Sequence, residues 1–454
     1  MNKKILIVGL GKSGLAAARL ALSKNYRVYA IDENISVDLI EKKRILEEGG
    51  AVVYLDYSNG KLTKCELGVV SPGFNMNSSL GEMLQKEDTL FISEIEFAYR
   101  YCKWPIISIT GTNGKTTVTE LCTHILKKAG IKVIAAGNIG YPFSELIMKN
   151  PDIKVVVLEI SSFQLINIDK FKPYCAALLN IESDHIDRHG SYENYIQAKF
   201  NILKNVSDYN KIIINTDLIS LWKHRVGEMK PLPITFSAVG NDSDLYVENN
   251  IIYMGIGNSK RKLIFLKDLP FSGAHNLENL MAALFLCSHF NIDFSCIAEY
   301  VKEFKLGEHR LELVAKRNGI SYINDSKSTN PASLVVALKA VGNEKNVCLI
   351  VGGLDKNMDF SIIAEHKDKI KKIFLVGKCK TKLANLWNAV LIDSNCESFQ
   401  EAIELACSHA ESGDVVLLSP ACASMDMFRD YKERGNIFKS IINRRLIDEE
   451  KVYS

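Results

Sequence analysis

The sequence predicts an α/β protein of three domains, because three apolar strands in different parts of the chain each lead into a glycine-containing turn. Residues 5–8 precede the turn GLGKSG at 9–14, and residues 106–109 precede GTNGKTT at 111–117. Residues 347–351 precede a Gly-Gly turn at 352–353. A buried strand, a tight turn and a helix form the repeating unit of parallel sheets. We therefore expect a Rossmann-like domain over residues 1–95, a central phosphate-loop ATPase-type domain over 96–306 and a doubly wound α/β domain over 307–454.

Length and composition agree with an ordinary globular enzyme. The chain has 454 residues, of which 47% are hydrophobic and 24% charged, and its net charge is +3. This charge is too small to favour a nucleic acid or a membrane surface as partner, and no apolar run is long enough for membrane insertion. The 11 cysteines are scattered without a C-x-x-C pair, which favours reduced thiols in the cytoplasm. We expect no signal peptide, small-molecule substrates and a monomer.

The turn at 111–117 has the composition of a phosphate-binding loop. Gly111 and Gly114 allow backbone N–H groups to approach an anion, and the following helix N-terminus adds partial positive charge. Lys115 is placed to reach the β- and γ-phosphates, and the Thr116 hydroxyl to bind Mg²⁺. The loop is shorter than the usual G-x-x-x-x-G-K-[ST] pattern, since Ile109 stands where the first glycine is expected. We predict a nucleoside triphosphate here; the alternative is a solvated turn with a chance lysine.

The N-terminal turn has a different ligand pattern. G-x-G-x-x-G at 9–14 is followed by a strand over 26–31 that ends at Asp32, the position at which Rossmann folds bind a ribose. Ser71-Pro72-Gly73 follows the strand at 67–70, at the same edge of the predicted sheet. The pattern alone suggests an NAD-dependent enzyme; a uridine nucleotide, or no ligand, is the alternative, because a single G-x-G-x-x-G is weak evidence.

Two strand ends of the middle domain carry metal-binding residue types. Glu159 ends the apolar strand 155–158, where a second Mg²⁺ ligand beside Thr116 would stand. The structural alternative is an acid at a helix N-terminus. The cluster at 182–189 contains His185 and favours a metal or substrate role because it follows another apolar strand.

Three interpretations further along rest on local patterns alone. Lys199 lies on an amphipathic helix, and by itself this predicts an exposed lysine. Asn276 is interpreted as a helix N-cap, while Asn279 shares its helix face. Residues 211–270 alternate short apolar strands with polar turns, which predicts a smaller β-rich subregion.

Taken together, the blocks resemble the Mur ligases, which are ATP-dependent amide-forming enzymes of peptidoglycan precursor synthesis. The resemblance spans the chain and rests on several blocks in order. These blocks are 111–117, 159–164 (EISSFQ), Asp184-His185, Tyr195 to Lys199, His275-Asn276 with Asn279, His309-Arg310 and 324–327 (NDSK). The glycine turn at 9–14 and the ending 418–428 with Arg434-Gly435 resemble the D-glutamate-adding members of the family.

The resemblance implies a reaction. The carboxylate of UDP-N-acetylmuramoyl-L-alanine attacks the γ-phosphate of ATP, and the amine of D-glutamate then displaces phosphate from the acyl phosphate. It implies two Mg²⁺ ions and a carbamylated (N6-carboxylated) Lys199, which would turn a cation into an acidic metal ligand.

The resemblance also implies roles for individual residues. Catalytic roles are implied for Lys115, His185, Lys199 and Lys327. ATP contacts are implied for Gly111, Thr112, Asn113, Gly114, Lys115, Thr116, Thr117, Asn279, Arg310 and Asp325, with Asn279 near adenine and Asp325 near ribose. UDP-substrate contacts are implied for Ser13, Asp32, Ser71, Pro72, Gly73, Asn138 and Gln164. D-glutamate contacts are implied for Thr329, Lys356, Ser424 and Tyr431, together with Lys327. Metal contacts are implied for Thr116, Glu159, His185 and Lys199.

Two hypotheses from other functional classes are alternatives to a ligase. The turn at 9–14 would suit an NAD(P)-dependent oxidoreductase with an appended ATPase domain. A nucleotide switch that binds a partner and makes no amide product is the non-enzymatic alternative.

Overall fold

The computed structural model describes residues 3–58, 63–227, 231–240, 242–255, 260–356, 358–385 and 392–452, which form three β-sheets. The chain divides into two compact units. Unit 1 comprises Met1–Ile181, Glu193–Pro270 and Ala274–Phe304, and unit 2 comprises Glu182–Tyr192, Phe271–Gly273 and Lys305–Ser454. Among the described residues, no helix is both long and apolar enough to cross a membrane.

The first sheet lies in unit 1 and has five parallel strands in the order β3-β2-β1-β4-β5. Its strands are β1 (Lys4–Val8), β2 (Arg27–Ile31), β3 (Val52–Tyr54), β4 (Leu67–Val70) and β5 (Leu90–Ser93). Its helices are α1 (Lys12–Ser23), α2 (Val37–Glu48), α3 (Ser79–Gln85) and α4 (Glu94–Tyr99). The turn between β1 and α1 is so tight that a Cβ on Gly14 would lie 1.8 Å from the Gly9 carbonyl oxygen. This is the predicted Rossmann-like arrangement.

The second sheet, also in unit 1, has nine strands in the order β14-β13-β12-β11-β10-β9-β6-β8-β7. They are β6 (Ile106–Thr110), β7 (Val133–Gly137), β8 (Val155–Glu159), β9 (Cys175–Leu178), β10 (Ile212–Asn215), β11 (Ile234–Ser237), β12 (Leu245–Glu248), β13 (Ile251–Met254) and β14 (Arg261–Phe265). The helices over the same stretch of chain are α5 (Lys115–Lys128), α6 (Phe143–Lys149), α7 (Ser162–Leu165), α8 (Ile186–His189), α9 (Tyr192–Phe200), α10 (Ile219–Val226), α11 (Ala274–Ser288) and α12 (Phe294–Lys302). The expected β-rich subregion is not separate: β10 pairs in parallel with β9, and β11 to β14 continue the same sheet.

The third sheet lies in unit 2, in the order β15-β16-β20-β17-β18-β19. Its strands are β15 (Glu312–Arg317), β16 (Ile320–Asn324), β17 (Val347–Gly352), β18 (Ile370–Val376), β19 (Ile392–Asn395) and β20 (Val415–Leu418), and only β15 at the edge is antiparallel to its neighbour. Its helices are α13 (Pro331–Val341), α14 (Ser361–Ala364), α15 (Lys380–Ala384), α16 (Phe399–His409) and α17 (Tyr431–Val452). Apolar side chains cluster on both faces of the sheet, as a doubly wound fold requires.

Helix α4 joins the first sheet to the second through two fully buried carboxylates. Glu94 accepts the backbone N–H of Ser144 at 2.6 Å. One oxygen of Glu96 accepts three consecutive backbone N–H groups, from Asp169, Lys170 and Phe171, at 3.1, 3.0 and 2.8 Å. Burial raises the pKa of Glu94 to about 7.

Candidate active site

The loop between β6 and α5 has a glycine at a position where any side chain would be strained and would displace the Asn279 side chain. Gly114 has φ +84°, in the left-handed region, and a Cβ there would lie 2.2 Å from Asn279 Oδ1. The backbone therefore passes directly under the Asn279 side chain, and its turn delivers the chain into the N-terminus of α5. Asn279 and the phosphate loop thus lie together within unit 1, as the site prediction requires.

Asn180, which follows β9, forms hydrogen bonds with the phosphate loop. The Asn180 carbonyl accepts the Thr112 N–H at 3.0 Å, and its Oδ1 accepts the Asn113 N–H at 2.8 Å. Its Nδ2 donates to the Asn113 carbonyl at 3.2 Å. The Thr112 hydroxyl also lies 2.9 Å from the Tyr195 hydroxyl. These contacts tie the loop to β9 and α9 through side chains and backbone that lie outside it.

Lys115 is folded onto its own loop. Its Nζ donates to the carbonyl oxygens of Gly111 at 2.8 Å and Thr112 at 2.7 Å. The acceptors in these hydrogen bonds are neutral, so ionised phosphate oxygens would be stronger partners for the ammonium. The cation is therefore already at the loop that is predicted to bind the triphosphate.

The interpretation of Lys199 as an exposed lysine is wrong. Lys199 is only 1% exposed, and its Nζ donates to the Gly111 carbonyl at 2.7 Å and lies 4.6 Å from the centroid of the Tyr195 ring. Tertiary packing of α9 against the phosphate loop buries this side chain, and the periodicity of one helix does not contain that information. The structure therefore brings Lys199 and the phosphate loop together, as the family resemblance implies.

Glu159 has the properties of a metal ligand. It ends β8, is 2% exposed, and its Oε1 accepts the Asn138 amide at 2.7 Å. Its Oε2 is buried with no hydrogen-bond partner, a costly state for a carboxylate oxygen that a bound cation would relieve. Hydroxyl and carboxylate oxygens are hard donors that suit Mg²⁺, so Thr116 and Glu159 fit such an ion. Within the described ranges, no group of three or more His, Cys, Asp and Glu side chains is arranged to hold a metal.

Gln164 takes part in a local helix cap. The Ser161 hydroxyl and the Gln164 side chain form a reciprocal capping box at the start of α7, with Gln164 Oε1 accepting the Ser161 N–H at 2.9 Å. Its predicted contact with the muramoyl group stays a prediction, and it would be made by the remaining amide group.

The predicted UDP-substrate residues of the first sheet meet at its carboxyl edge. Asp32, after β2, accepts the Leu10 N–H of the glycine turn through Oδ2 at 2.7 Å. Ser71, after β4, is buried, and its Cβ lies 3.1 Å from where a Gly9 Cβ would stand. Ser13 lies in the first turn of α1, and Pro72-Gly73 continue the turn after Ser71. These residues therefore lie at one edge of the sheet, and their contact with a UDP-substrate stays a prediction.

The helix-cap interpretation of Asn276 is wrong as well. Helix α11 begins at Ala274, so Asn276 lies inside its first turn and not at the capping position. Asn276 and Asn279 are both buried. The adenine contact of Asn279 stays a prediction.

In unit 2, Asp325 follows β16 and is buried beside Ser419, which follows β20. The Ser419 hydroxyl donates to Asp325 Oδ2 at 2.8 Å, and the Leu311 N–H donates to Oδ1 at 3.2 Å. Burial raises the pKa of Asp325 to about 7, although these hydrogen bonds and the charge of Arg310 oppose the shift. Arg310 is half-buried and near enough to Asp325 to act on its charge.

His309 is positioned by Asn324. The Asn324 Nδ2 lies 2.9 Å from His309 Nδ1, and since an amide nitrogen only donates, Nδ1 is the acceptor and Nε2 carries the proton. Burial and the charge of Lys439 lower the pKa of His309. Both His309 (φ +66°) and His185 (φ +57°) adopt the left-handed backbone region, which is uncommon for residues other than glycine and concentrates at functional sites.

The His185 cluster belongs to unit 2, and there it meets Lys356. Asp184 Oδ2 lies 3.7 Å from His185 Nε2, and its Oδ1 lies 3.6 Å from Lys356 Nζ. Lys356 and Asp184 are separated by more than 170 positions in the sequence, so the pairing of a predicted D-glutamate ligand with the predicted metal cluster is a finding of the structure.

The remaining predicted amino-acid ligands lie on loops of unit 2. Lys327 Nζ stands 5.3 Å from the centroid of the Tyr431 ring, a cation–π contact between two of them. Thr329 is half-buried two residues further along the same loop, and Ser424 is buried in the loop after β20. Sequence analysis assigned no role to three side chains that organise these sites: Asn180, Ser419 and Arg434. Asn180 and Ser419 follow the strands β9 and β20, a position that could have singled them out, whereas Arg434 lies in the first turn of α17 and was quoted only as part of the family resemblance.

Comparison with family models matches three consecutive parts of the chain. Residues 3–90 match the N-terminal domain of MurD-like Mur ligases, residues 109–287 the Mur ligase middle domain, and residues 309–422 the glutamate ligase domain of Mur ligases.

Curated relatives match over the full length. Proteins named UDP-N-acetylmuramoylalanine–D-glutamate ligase from Caldicellulosiruptor saccharolyticus and from Thermoanaerobacter sp. (strain X514) are 38% and 36% identical, each over 97% of this chain, and 99% and 98% of their own lengths are covered.

Solved structures show the same fold at low identity. The MurF ligase of Thermotoga maritima in complex with ADP has a TM-score of 0.60 at 16% identity, covering 98% of this chain and 96% of that one. A pseudomurein peptide ligase type C from Methanothermus fervidus has a TM-score of 0.58 at 20% identity, covering 98% and 100%. The phosphate loop, the buried carboxylate that ends β8 and the matches across all three sheets lead to one conclusion: the chain belongs to the Mur ligase family.

Proposed function

We propose that this chain is an ATP-dependent ligase that joins D-glutamate to UDP-N-acetylmuramoyl-L-alanine through an acyl phosphate, in peptidoglycan precursor synthesis. The observation that carries the proposal is the full-length similarity to ligases named for this reaction, at up to 38% identity. The phosphate loop beside the buried, half-satisfied carboxylate of Glu159 supplies the physical basis for the ATP step.

In the first step, the substrate carboxylate attacks the γ-phosphate of ATP, which forms the acyl phosphate and breaks the γ-phosphorus bond to the bridging oxygen, so that ADP leaves. Residues 111–117 bind the phosphates, and Lys115 exchanges its bonds to the loop carbonyls for bonds to the β- and γ-phosphates. Mg²⁺ would supply charge neutralisation at the transferring phosphoryl group, with Thr116 and Glu159 as its ligands. Asn138 orients Glu159 through the bond to Oε1, which leaves Oε2 for the ion.

Lys199 and His185 are proposed to serve a second Mg²⁺. A free ammonium close to a divalent cation would be repelled, and carbamylation would convert Lys199 into an oxygen ligand. The buried position of Lys199 beside the Gly111 carbonyl supports this role, because it places the side chain at the loop that is proposed to bind the phosphates. Lys199 belongs to unit 1 and His185 to unit 2.

Nucleotide and substrate contacts follow the residues named by the resemblance. Asn279, Arg310 and Asp325 bind the nucleoside of ATP. Ser13, Asp32, Ser71, Pro72, Gly73, Asn138 and Gln164 bind the UDP-substrate. Lys327, Thr329, Lys356, Ser424 and Tyr431 bind D-glutamate, and Lys327 aids catalysis. In this assignment Asp32 holds a uridine ribose, as the acid at that position holds a ribose in other Rossmann folds.

The cellular location, the oligomeric state and the domain boundaries are part of the same proposal. We place the enzyme in the cytoplasm as a monomer, with domain boundaries at about residues 95 and 306.

The test is an assay of phosphate release and amide formation across a panel of amino acids, with UDP-N-acetylmuramoyl-L-alanine as acceptor. We expect phosphate release that requires both the acceptor and D-glutamate, with one amide formed per phosphate. Turnover with another amino acid would refute the choice of D-glutamate. Phosphate release without amide formation would favour the hypothesis of a nucleotide switch. Nicotinamide binding by the whole chain would favour the hypothesis of an oxidoreductase.

A further inference from the structure

Arg434 is a buried arginine that connects two loops of unit 2. It lies in the first turn of α17 and is 1% exposed. Its Nε donates to Ser326 Oγ at 3.0 Å and its Nη2 to the Ser326 carbonyl at 2.8 Å. Its Nη1 donates to the Cys422 carbonyl at 3.1 Å. One guanidinium thus bonds both the loop after β16 and the loop after β20.

These two loops leave the same edge of the sheet. Strands β16 and β20 are parallel neighbours, with Asn324 paired to Leu418 at their last residues. The carboxyl ends of parallel strands are where ligands bind in open α/β sheets. The loops also carry three of the proposed amino-acid ligands, Lys327 and Thr329 on one and Ser424 on the other. Arg434 therefore sets the distance between the two sides of that proposed site.

The charge of Arg434 is only partly compensated. All three of its acceptors are neutral oxygens, and in the part of the chain that the structure describes it makes no ion pair. Burial lowers the pKa of Arg434 to about 10, against the attraction of Asp426 and Asp325, so the side chain remains a cation at neutral pH. Asp426 is engaged elsewhere through the Lys378 N–H at 2.9 Å, and Asp325 is held by Ser419 at 2.8 Å.

We propose that Arg434 is a positioning residue for the amino-acid substrate: it fixes the two loops that carry the substrate ligands, and its buried positive charge favours a carboxylate-bearing amine at this edge of the sheet. The inference rests on the proposed function, since it assigns Arg434 to the amino-acid site of that reaction. A buried cation with neutral partners in this position attracts anions because the low local dielectric screens it weakly. Arginine suits both tasks, since its planar fork donates in three directions at once.

The experiment compares Arg434→Met, Arg434→Lys and the control Arg444→Met in steady-state assays with the full chain. Arg444 lies exposed on the same helix, so its replacement removes an equal charge away from the sheet edge. We expect the KM for the amino acid to rise ~10-fold in Arg434→Met and ~3-fold in Arg434→Lys, the size of effect that loss of charge-assisted contacts produces. The KM values for ATP and the UDP-substrate should stay near those of the wild type, and Arg444→Met should match the wild type throughout.

A merely structural role would give a different pattern. It would raise all three KM values together, or lower kcat alone in parallel with the melting temperature, and either result overturns the proposal. If Arg434→Met does not fold, the test rests on Arg434→Lys. A KM for the amino acid that equals the wild-type value in Arg434→Lys would then overturn the proposal.

The result with the wild type distinguishes a failure of this inference from a failure of the proposed function. If the wild type uses an amino acid other than D-glutamate, the substrate assignment fails and Arg434 is judged on the KM for that amino acid. If the wild type forms no amide with any amino acid, both the proposed function and this inference are overturned.

Discussion

Asn180 forms a two-way pair with the backbone of Asn113, accepting its N–H at 2.8 Å and donating to its carbonyl at 3.2 Å. The pair joins the end of the β9 segment to the middle of the phosphate loop. Asn180 is therefore a side chain that shapes the loop although it carries no group needed for phosphate chemistry.

Replacement of Asn180 should damage ATP binding more than stability. In Asn180→Ala we expect the KM for ATP to rise ~10-fold, because the loop loses two hydrogen bonds of about 1 kcal/mol each and samples other conformations. Asn205→Ala is the control, since Asn205 also donates its amide to backbone carbonyls, of Asp169 and Phe171, away from the loop. Steady-state kinetics and thermal unfolding on both variants check this. A KM for ATP that rises equally in both would contradict the assignment.

Lys115→Ala should abolish turnover, since the variant lacks the ammonium that lies at the loop carbonyls and is proposed to move to the β- and γ-phosphates. The exposed Lys127 on the same helix provides the control, and Lys127→Ala should retain wild-type kcat. Phosphate release under saturating ATP is the measurement. Near-normal activity of Lys115→Ala would end the assignment of the phosphate loop.

A methyl group at Gly114 should be far more harmful than one at Gly130, although both have positive φ. The Cβ of Gly114→Ala would lie 2.2 Å from Asn279 Oδ1, whereas that of Gly130→Ala (φ +77°) meets nothing within 4 Å. We expect Gly130→Ala to cost ~1 kcal/mol of stability with full activity, from backbone strain alone. Gly114→Ala should lose nucleotide binding, as measured by calorimetric titration with ADP. Equal behaviour of the two variants would show that the contact with Asn279 is unimportant.

Lys199→Ala should be inactive and partly restored by short carboxylates such as formate or acetate. The deletion leaves room beside the Gly111 carbonyl, and a small acid there would replace the oxygens of the proposed carbamate. The measurement is kcat against the concentration of added acid, with equal concentrations of chloride as the control. Full activity without any acid, or no restoration at all, counts against carbamylation.

Glu94 should make stability depend on pH. Burial raises its pKa from 4.5 to about 7, so the folded protein binds this proton more tightly than the unfolded chain does. The stabilisation is complete below pH 4.5 and is lost as pH rises through 7, up to ~3 kcal/mol in total.

Urea unfolding of Glu94→Gln at pH 5 and pH 8 tests this, since Gln keeps an oxygen for the Ser144 N–H and does not titrate. We expect the variant to lose less stability than the wild type between the two pH values. The exposed Glu66, replaced by Gln, should behave as the wild type does. An identical decline in Glu94→Gln would show that another group is responsible.

The positions of several candidate site residues could be predicted from the sequence because they lie at strand ends. In the second sheet the phosphate loop follows β6 and Glu159 ends β8, and in the first sheet Asp32 follows β2; the carboxyl ends of parallel strands lie at one edge of each sheet. The antiparallel extension of the second sheet was not foreseen. Short alternating strands look alike whether they form a separate subregion or the edge of a larger sheet.

The errors concern side chains whose environment is made by distant parts of the chain. Lys199 is buried by a loop 88 positions earlier, and no local pattern reports that contact. Asn276 was placed at a helix cap because Asn favours that position, yet α11 begins two residues earlier. Asn180 and Arg434 act through backbone atoms of other segments, which a one-dimensional pattern cannot reveal.

The two carboxylates of α4 have a practical consequence for dissecting this enzyme. Glu94 lies before the expected boundary at residue 95 and Glu96 after it, but the partners of both belong to the following segment, at Ser144 and at residues 169–171. A fragment ending at 95 would expose a carboxylate evolved for burial, and a fragment starting at 96 would begin inside the first turn of the helix that holds the 169–171 turn. Ligand binding measured on such N-terminal fragments would then reflect the loss of these hydrogen bonds. The nucleotide specificity of the first sheet is therefore best measured on the uncut chain.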